Sequence, residues 1–264
     1  SQVVVPPQSL ADRRLTLIVV EGYVANVHVE GDPEARAMLL ALGERIKASR
    51  PLQAGALERY LLVANELPGL QLRSVVTPSQ PAGGADLTLI ASVKRVEGYA
   101  SLDNYGSKYL GPGQLNAGLA ANRLLGDDQL RIGGTTTGNG ELNYAQLSYA
   151  NVLNSEGLRF LLTASRANTH PGDALDPFDV RGRADTFTAS VGYPLWRTRN
   201  GSILGRAVFD VRNVDSDVLG VRVIEDRVRA VRIGLTWIGL DRLDGSSALD
   251  FELSKGVGGT EQDD

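Results

Sequence analysis

From about residue 98 to the end of the chain, apolar residues alternate with small or polar ones. In residues 114–124, for example, Leu115 and Leu119 fall on one side of the alternation, whereas Asn116 and Asn122 fall on the other. An alternation of period two is typical of β-strands, and the Gly, Asn and Asp residues between the segments indicate turns. The pattern predicts about nine strands. They lie near residues 97–105, 114–124, 128–137, 141–151, 157–167, 184–193, 202–213, 226–238 and 246–255.

The length of these segments and the polarity of their second face favour a membrane barrel. Such a barrel uses strands of about 9–11 residues, with an apolar outer face, a polar lumen and aromatic residues near the membrane surfaces. Strands of soluble sandwiches are shorter, about 5–6 residues, and turn their apolar face inward. Aromatic residues near segment ends are Tyr99, Tyr105, Tyr109, Tyr149, Tyr193, Trp196 and Trp237. A soluble all-β domain remains open as the alternative.

Residues up to about 96 have a mixed α and β pattern. Residues 23–29 are predicted as a strand, residues 34–48 and 53–66 as amphipathic helices, and residues 70–77 and 86–96 as strands. The order β-α-α-β-β predicts one sheet that is covered on one face by two helices. The apolar stripes predicted for the helices are Ala37, Leu40, Ala41 and Ile46 in the first, and Leu57, Tyr60, Leu61 and Ala64 in the second.

Composition narrows the possible functions. The chain has no Cys, which excludes disulfides and zinc–cysteine sites, and its only two His residues, His28 and His170, are far apart in sequence. The net charge of −4 and the scattered Lys and Arg residues argue against nucleic-acid binding. No apolar run approaches the roughly 18 residues of a transmembrane helix. The chain starts at Ser1 without an apolar segment, so we expect that any export signal has been removed.

No motif indicates an enzyme. Gly111, Pro112 and Gly113 have no following Lys or helix, so they do not form a phosphate-binding loop. Asp103 lies in a string that predicts a strand followed by a turn, where a carboxylate has a structural role. We therefore expect no catalytic residue, no metal and no other cofactor.

Several strings resemble a known family. They are residues 57–62 (LERYLL), 65–69 (NELPG), 98–106 (GYASLDNYG) and 122–128 (NRLLGDD). These strings resemble the second POTRA domain and the first barrel strands of two-partner secretion transporters. That family comprises the haemolysin-activator and filamentous haemagglutinin transporters of Gram-negative bacteria, and the resemblance extends over nearly the whole chain.

The resemblance implies an α+β POTRA domain of order β-α-α-β-β, followed by an all-β antiparallel membrane barrel. It places the end of a first POTRA domain in residues 1–22, the second POTRA domain in residues 23–96 and the barrel in residues 97–264. The barrel would be incomplete, with about nine of about 16 strands, and a partial barrel leaves strand edges that lipid cannot satisfy.

The resemblance also implies a function, the export of an unfolded TpsA-type exoprotein across the outer membrane without ATP. An extended partner could add to the sheet at the strand of residues 70–77, which we expect to be an edge strand flanked by the first helix. The expected partner-binding residues of this strand are Leu70, Leu72, Ser74 and Val76. The expected pore-lining residues are Asn116, Asn122, Arg206, Asp210, Arg212, Asp250 and Glu252.

The expected location is the outer membrane, with the POTRA part in the periplasm. The other expected partner is outer-membrane lipid, and the protein is expected to be a monomer that binds no nucleic acid. Two alternatives remain open: a barrel-assembly factor of the same superfamily, which also uses POTRA domains, and a soluble periplasmic protein-binding module.

Overall fold

The predicted strands and helices are found in a computed structural model that describes residues 2–8, 14–80, 82–241, 243 and 245–258. The helices are α1 (Arg36–Ala48) and α2 (Ala54–Asn65). The strands of the N-terminal part are β1 (Gln2–Val4), β2 (Ile18–Val20), β3 (Tyr23–Gly31), β4 (Leu70–Pro78) and β5 (Gly84–Val93). The remaining strands are β6 (Val96–Asp103), β7 (Gln114–Asn122), β8 (Asp128–Thr137), β9 (Leu142–Val152), β10 (Arg159–Thr169), β11 (Arg181–Thr198), β12 (Gly201–Val218), β13 (Val221–Leu240) and β14 (Ser246–Gly256).

Strands β3, β4 and β5 form a three-stranded sheet that packs against α1 and α2, and we call these five elements the small unit. β5 is the central strand, parallel to β3 and antiparallel to β4. The core of the small unit lies between the sheet and the helices. Its members include Leu39, Leu42, Ile46, Val63, Leu67, Leu87 and Leu89. The predicted order of these elements is confirmed.

The apolar stripe predicted for α1 is confirmed at Leu40 and Ile46 but wrong at Ala37 and Ala41, whereas the one predicted for α2 is confirmed. Ala37 and Ala41 are exposed, and the buried side of α1 instead carries Leu39, Leu42 and Gly43 in addition to Ile46. Burying a leucine removes far more apolar area from water than burying an alanine, so the helix turns its leucines to the sheet. In α2, Ala64 is buried and the other three predicted residues pack against the core.

Gly43 lets α1 approach the sheet closely, and this gives a stability prediction. A Cβ atom at Gly43 would lie 2.4 Å from Val27 Cγ1. Gly43→Ala is therefore expected to lower the free energy of unfolding of the small unit by about 1–3 kcal/mol, because a packed core does not accept an extra methyl group. Hydrogen exchange of the α1 amides would measure the change.

Gly55→Ala is the matched control, because a Cβ at Gly55 meets nothing within 4 Å. There the higher helix propensity of alanine is expected to stabilise α2 by up to about 1 kcal/mol. Equal effects at both glycines would contradict the packing argument.

The nine strands β6–β14 form one antiparallel sheet in which every strand pairs with its neighbours in sequence. The nine predicted segments are therefore confirmed as strands. β5 lies two to three residues earlier than predicted, since it runs from Gly84 to Val93, and Val96 already belongs to β6. Within the described residues, β6 and β14 are the edges of this sheet.

Three strands are much longer than predicted: β11 and β12 have 18 residues each, and β13 has 20. β11 continues through Pro194 with a register shift, which accommodates a residue that has no N–H group to donate. At the other end, opposite charges pair across the strands. Arg222 Nε lies 2.6 Å from an Asp217 oxygen, and Arg227 Nη2 lies 2.7 Å from an Asp215 oxygen. Such pairs stabilise a sheet where the apolar pattern has ended.

Cross-strand registers divide the nine-stranded sheet into two faces. One side is called the polar face, and its side chains include Asn116, Thr135, Gln146, Ser165, Thr188, Asp210, Arg232 and Asp250. The opposite, apolar face carries Leu115, Leu119, Ile132, Leu147, Phe187, Phe209, Ile233, Leu249 and Phe251, all of them exposed. A sandwich would bury these side chains against a second sheet, whereas a membrane barrel presents them to lipid. Within the described ranges, neither helix has the length and hydropathy to cross a membrane.

Candidate functional site

Charged side chains of β12, β13 and β14 form a network on the polar face. Arg206 contacts both carboxylate oxygens of Asp250 at 2.7 Å and reaches Glu252 at 3.0 Å. Arg232 pairs with Asp210 and lies 3.4 Å from Glu252. The network joins three neighbouring strands, and its side chains are 17–51 % exposed. A wall with fixed charges of both signs results.

Six of the predicted pore-lining residues lie on the polar face with at least part of the side chain accessible. Four of them belong to the charged network. Arg212 is exposed on the same face of β12, and the Asn116 side chain is half-buried between Asp103 and Thr135, with hydrogen bonds of 3.0 and 2.7 Å. These six residues share one face because each occupies a polar position in the period-two alternation of its strand.

Asn122 is on the same face but cannot line an open lumen, because only 2 % of it is exposed. Its side-chain amide donates to the Lys94 carbonyl at 2.7 Å and accepts a bond from Gln129 at 2.6 Å. A Cβ atom at Gly69 would lie 2.7 Å from Asn122 Cβ, so the small unit covers this residue. Asn122 therefore connects the end of β7 to the small unit, which corrects the prediction from its phase.

β4 is an edge strand, because within the described residues β5 is its sheet neighbour on one side and no strand pairs on the other. Leu70 is only 8 % exposed and belongs to the core, which corrects its prediction as a binding side chain. Leu72 is half-buried against that core, whereas Ser74 and Val76 are exposed. Of the two helices, α2 makes the more extensive contact with β4, so the expected flanking by the first helix is also wrong.

A cleft of about 740 Å³ separates the start of β4 from the polar face of β8–β10. On the side of the small unit it is lined by residues 65–71, and across from them lie polar side chains of the large sheet. These are Gln129, Arg131, Gln146, Ser148, Arg159 and Thr163. None of these residues was predicted to line the pore, although they alternate in step with the polar side of their strands, as Asn116 does in β7.

Comparisons with known proteins agree with this architecture. A family model described as "Haemolysin secretion/activation protein ShlB/FhaC/HecB" matches residues 86–264. Among curated proteins, the heme/hemopexin transporter protein HuxB of Haemophilus influenzae is 22% identical over 240 residues, covering 89% of this chain and 42% of HuxB. A second H. influenzae HuxB is 23% identical over 231 residues, 86% of this chain and 41% of that protein.

Solved structures share the fold. CdiB from Escherichia coli superposes with a TM-score of 0.73 at 19% identity, covering 97% of this chain and 49% of that one. CdiB from Acinetobacter baumannii gives a TM-score of 0.61 at 16% identity, with coverages of 98% and 50%. The chain thus spans about half the length of the relatives it matches, or less. It belongs to the ShlB/FhaC/HecB family of haemolysin secretion/activation proteins, which confirms the resemblance to two-partner secretion transporters found in its sequence.

Proposed function

We propose that this chain contributes a partner-binding edge strand and part of a pore wall to an outer-membrane translocator that exports an unfolded exoprotein. The observation that carries the proposal is the pair of faces of the nine-stranded sheet, one exposed and apolar and the other polar with a charged network. Because the small unit lies at one end of this sheet, beside the polar face, it can deliver a chain to that face.

The domain assignment follows from this function. Residues 1–22 are the end of a first POTRA domain, residues 23–96 are a second one except that Val96 begins β6, and residues 97–264 are barrel wall. β6 and β14 have backbone groups that lipid could not satisfy, so further strands are needed to close the barrel. The greater length of the relatives supports this reading.

Recognition of the partner is proposed to occur at the outer edge of β4. An extended peptide that adds to a sheet edge gains main-chain hydrogen bonds that do not depend on its sequence. Ser74 and Val76 are exposed beside this edge, and Leu72 forms an apolar floor. Leu70 contributes through its backbone alone.

Transport is proposed to follow the polar face. Charges of both signs keep water in the pore and bind a passing chain only weakly, so the exported chain can leave again. The wall residues are Asn116, Arg206, Asp210, Arg212, Asp250 and Glu252. Members of the family are transporters, and we propose no catalytic site, no ATP hydrolysis and no cofactor.

The environment follows from the same argument. The apolar face lies in outer-membrane lipid, the small unit lies in the periplasm, and a single copy of the protein encloses the pore. The partner is a secreted exoprotein of the TpsA type, bound in its unfolded state.

Liposome conductance of the full-length protein, measured beside a variant that lacks residues 23–93, tests the proposal. Both proteins are expected to conduct ions, because the pore belongs to the barrel. Only the complete protein is expected to export its partner in cells, because the deletion removes β4. Absence of conductance from well-folded full-length protein would contradict the pore and favour a soluble binding module.

A further inference from the structure

Glu66, at the C-terminal end of α2, binds two arginines of the large sheet. The Glu66 carboxylate forms ion pairs with Arg159 at the start of β10 and with Arg197 near the end of β11. The Glu66 and Arg197 side chains are 25 % and 22 % exposed, so this contact is partly withdrawn from water. Partly buried pairs are screened less by salt than fully exposed ones.

Glu156, in the turn between β9 and β10, forms the converse arrangement. It binds Arg45 of α1 at 3.1 Å and Arg59 of α2 at 3.6 Å. The Tyr60 hydroxyl donates to the same carboxylate at 3.2 Å. Burial and the charge of Glu156 raise the pKa of Tyr60, so its hydroxyl keeps the proton that it donates. Each side of the interface thus supplies one carboxylate that binds two arginines of the other side.

Apolar contact and a buried arginine complete the interface. A Cβ atom at Gly157 would lie 2.9 Å from Pro194 Cγ and 3.3 Å from Val63 Cγ2, so α2 rests closely on the β9–β10 turn and on β11. Arg123, whose side chain is 1 % exposed, donates to the Glu34 carbonyl at 2.7 Å and pairs with Asp127 at 2.5 Å. The small unit is therefore fixed at the β7–β8 turn as well.

Glu66 lies directly before the proposed partner-binding strand β4, so the interface also sets the position of that strand. Residues 67–69 alone separate Glu66 from the first residue of β4, and the cleft of about 740 Å³ opens between them and the polar face. Because Glu66 is bound to β10 and β11, the first residues of β4 are held at one end of the nine-stranded sheet. A chain bound along β4 would then end at the polar face.

We propose that Glu66 and Glu156 are positioning residues of a reciprocal ionic clamp. The clamp consists of these two carboxylates with Arg159, Arg197, Arg45 and Arg59. It holds the small unit at one angle, so that a polypeptide added to β4 is directed into the cleft. The inference rests on the proposed function, since it concerns how that function uses the orientation of β4.

Spin-label distances measure the clamp independently of transport. Since the chain has no Cys, single cysteines at Thr77 on β4 and at Leu125 in the β7–β8 turn, both exposed, can carry labels without background. The full-length protein is expected to give one narrow distance distribution. Glu66→Arg places a third positive charge beside two arginines and is expected to broaden and shift it. Glu66→Gln is expected to act in the same direction with a smaller effect.

Export and conductance, measured on the same variants, connect the clamp to function. Glu66→Arg is expected to lower export of the partner at least tenfold while the folded barrel still conducts ions. Adding Arg159→Glu and Arg197→Glu to Glu66→Arg restores the attraction and is expected to recover both the narrow distances and export. Glu44→Arg, an exposed reversal on α1 outside the clamp, is the matched control and should change neither.

Two results would overturn the inference. An unchanged, narrow distance distribution in Glu66→Arg would show that the clamp does not fix the small unit. A broadened distribution with undiminished export would show that its angle does not matter for transport. Absence of conductance and export in the unmodified protein would instead contradict the proposed function, and the distance measurement separates the two cases.

Discussion

The variants Ser74→Pro and Val75→Pro are both expected to stop export of the partner, but only one of them is expected to destabilise the small unit. In an antiparallel strand, successive residues direct their N–H and C=O groups to opposite sides. One of these two neighbours therefore bonds to β5, and the other presents its N–H group at the outer edge of β4.

The two variants differ in which hydrogen bond they lose. Proline at the inward position leaves a carbonyl of β5 without its donor, which costs about 1–3 kcal/mol, and disturbs the sheet. Proline at the outward position removes no bond of the folded protein, yet its ring blocks an added strand. That variant is the informative one, because it should be as stable as the unmodified protein while its export falls at least tenfold.

Secretion of the partner, together with thermal unfolding of the purified protein, would test this expectation. Arg73→Ala is the matched control, since it keeps every backbone donor of β4 and changes only an exposed side chain. Full export from a stable outward-proline variant would exclude partner addition at this edge. The recognition site would then have to be sought elsewhere on the small unit.

Arg206→Glu is expected to shift the ion selectivity of the pore towards cations. Arg206 binds Asp250 twice and Glu252 once, so its reversal places a third carboxylate beside two others on the polar face, which we propose to be the pore wall. Fixed charges lining a pore attract mobile ions of the opposite sign. A change of two charges at one level of the wall should raise the cation-to-anion permeability ratio on the order of threefold to tenfold.

The reversal potential in a salt gradient across a planar bilayer gives this ratio directly. Arg36→Glu is the control, because it makes the same change of net charge on the exposed side of α1, away from the polar face. If the two variants had the same selectivity as the unmodified protein, Arg206 would not face the conducting lumen.

The same network is expected to hold β12, β13 and β14 together, so heat-induced unfolding of the barrel should also occur at a lower temperature in Arg206→Glu.

The strand boundaries differ in how well they could be predicted. β8, β9 and β14 end close to where their alternation ends, because the apolar face stops there. β11, β12 and β13 continue beyond it, where cross-strand pairs such as Arg222 with Asp217 replace apolar contacts. Such pairs depend on the register between two strands, and one strand read alone does not contain that register.

The nine strands, their two faces, the order of the elements in the small unit and the family could all be predicted from the residues alone. Each of these depends on local properties: period-two alternation, helical spacing and short strings of residues. By contrast, the burial of Asn122 under the small unit and the place of Leu70 in the core depend on packing between elements that are distant in sequence. Such packing alone also brings Glu66 to Arg159 and Arg197, 93 and 131 positions further along the chain. Contacts over such separations arise when two folded surfaces meet, so no local pattern of residues encodes them.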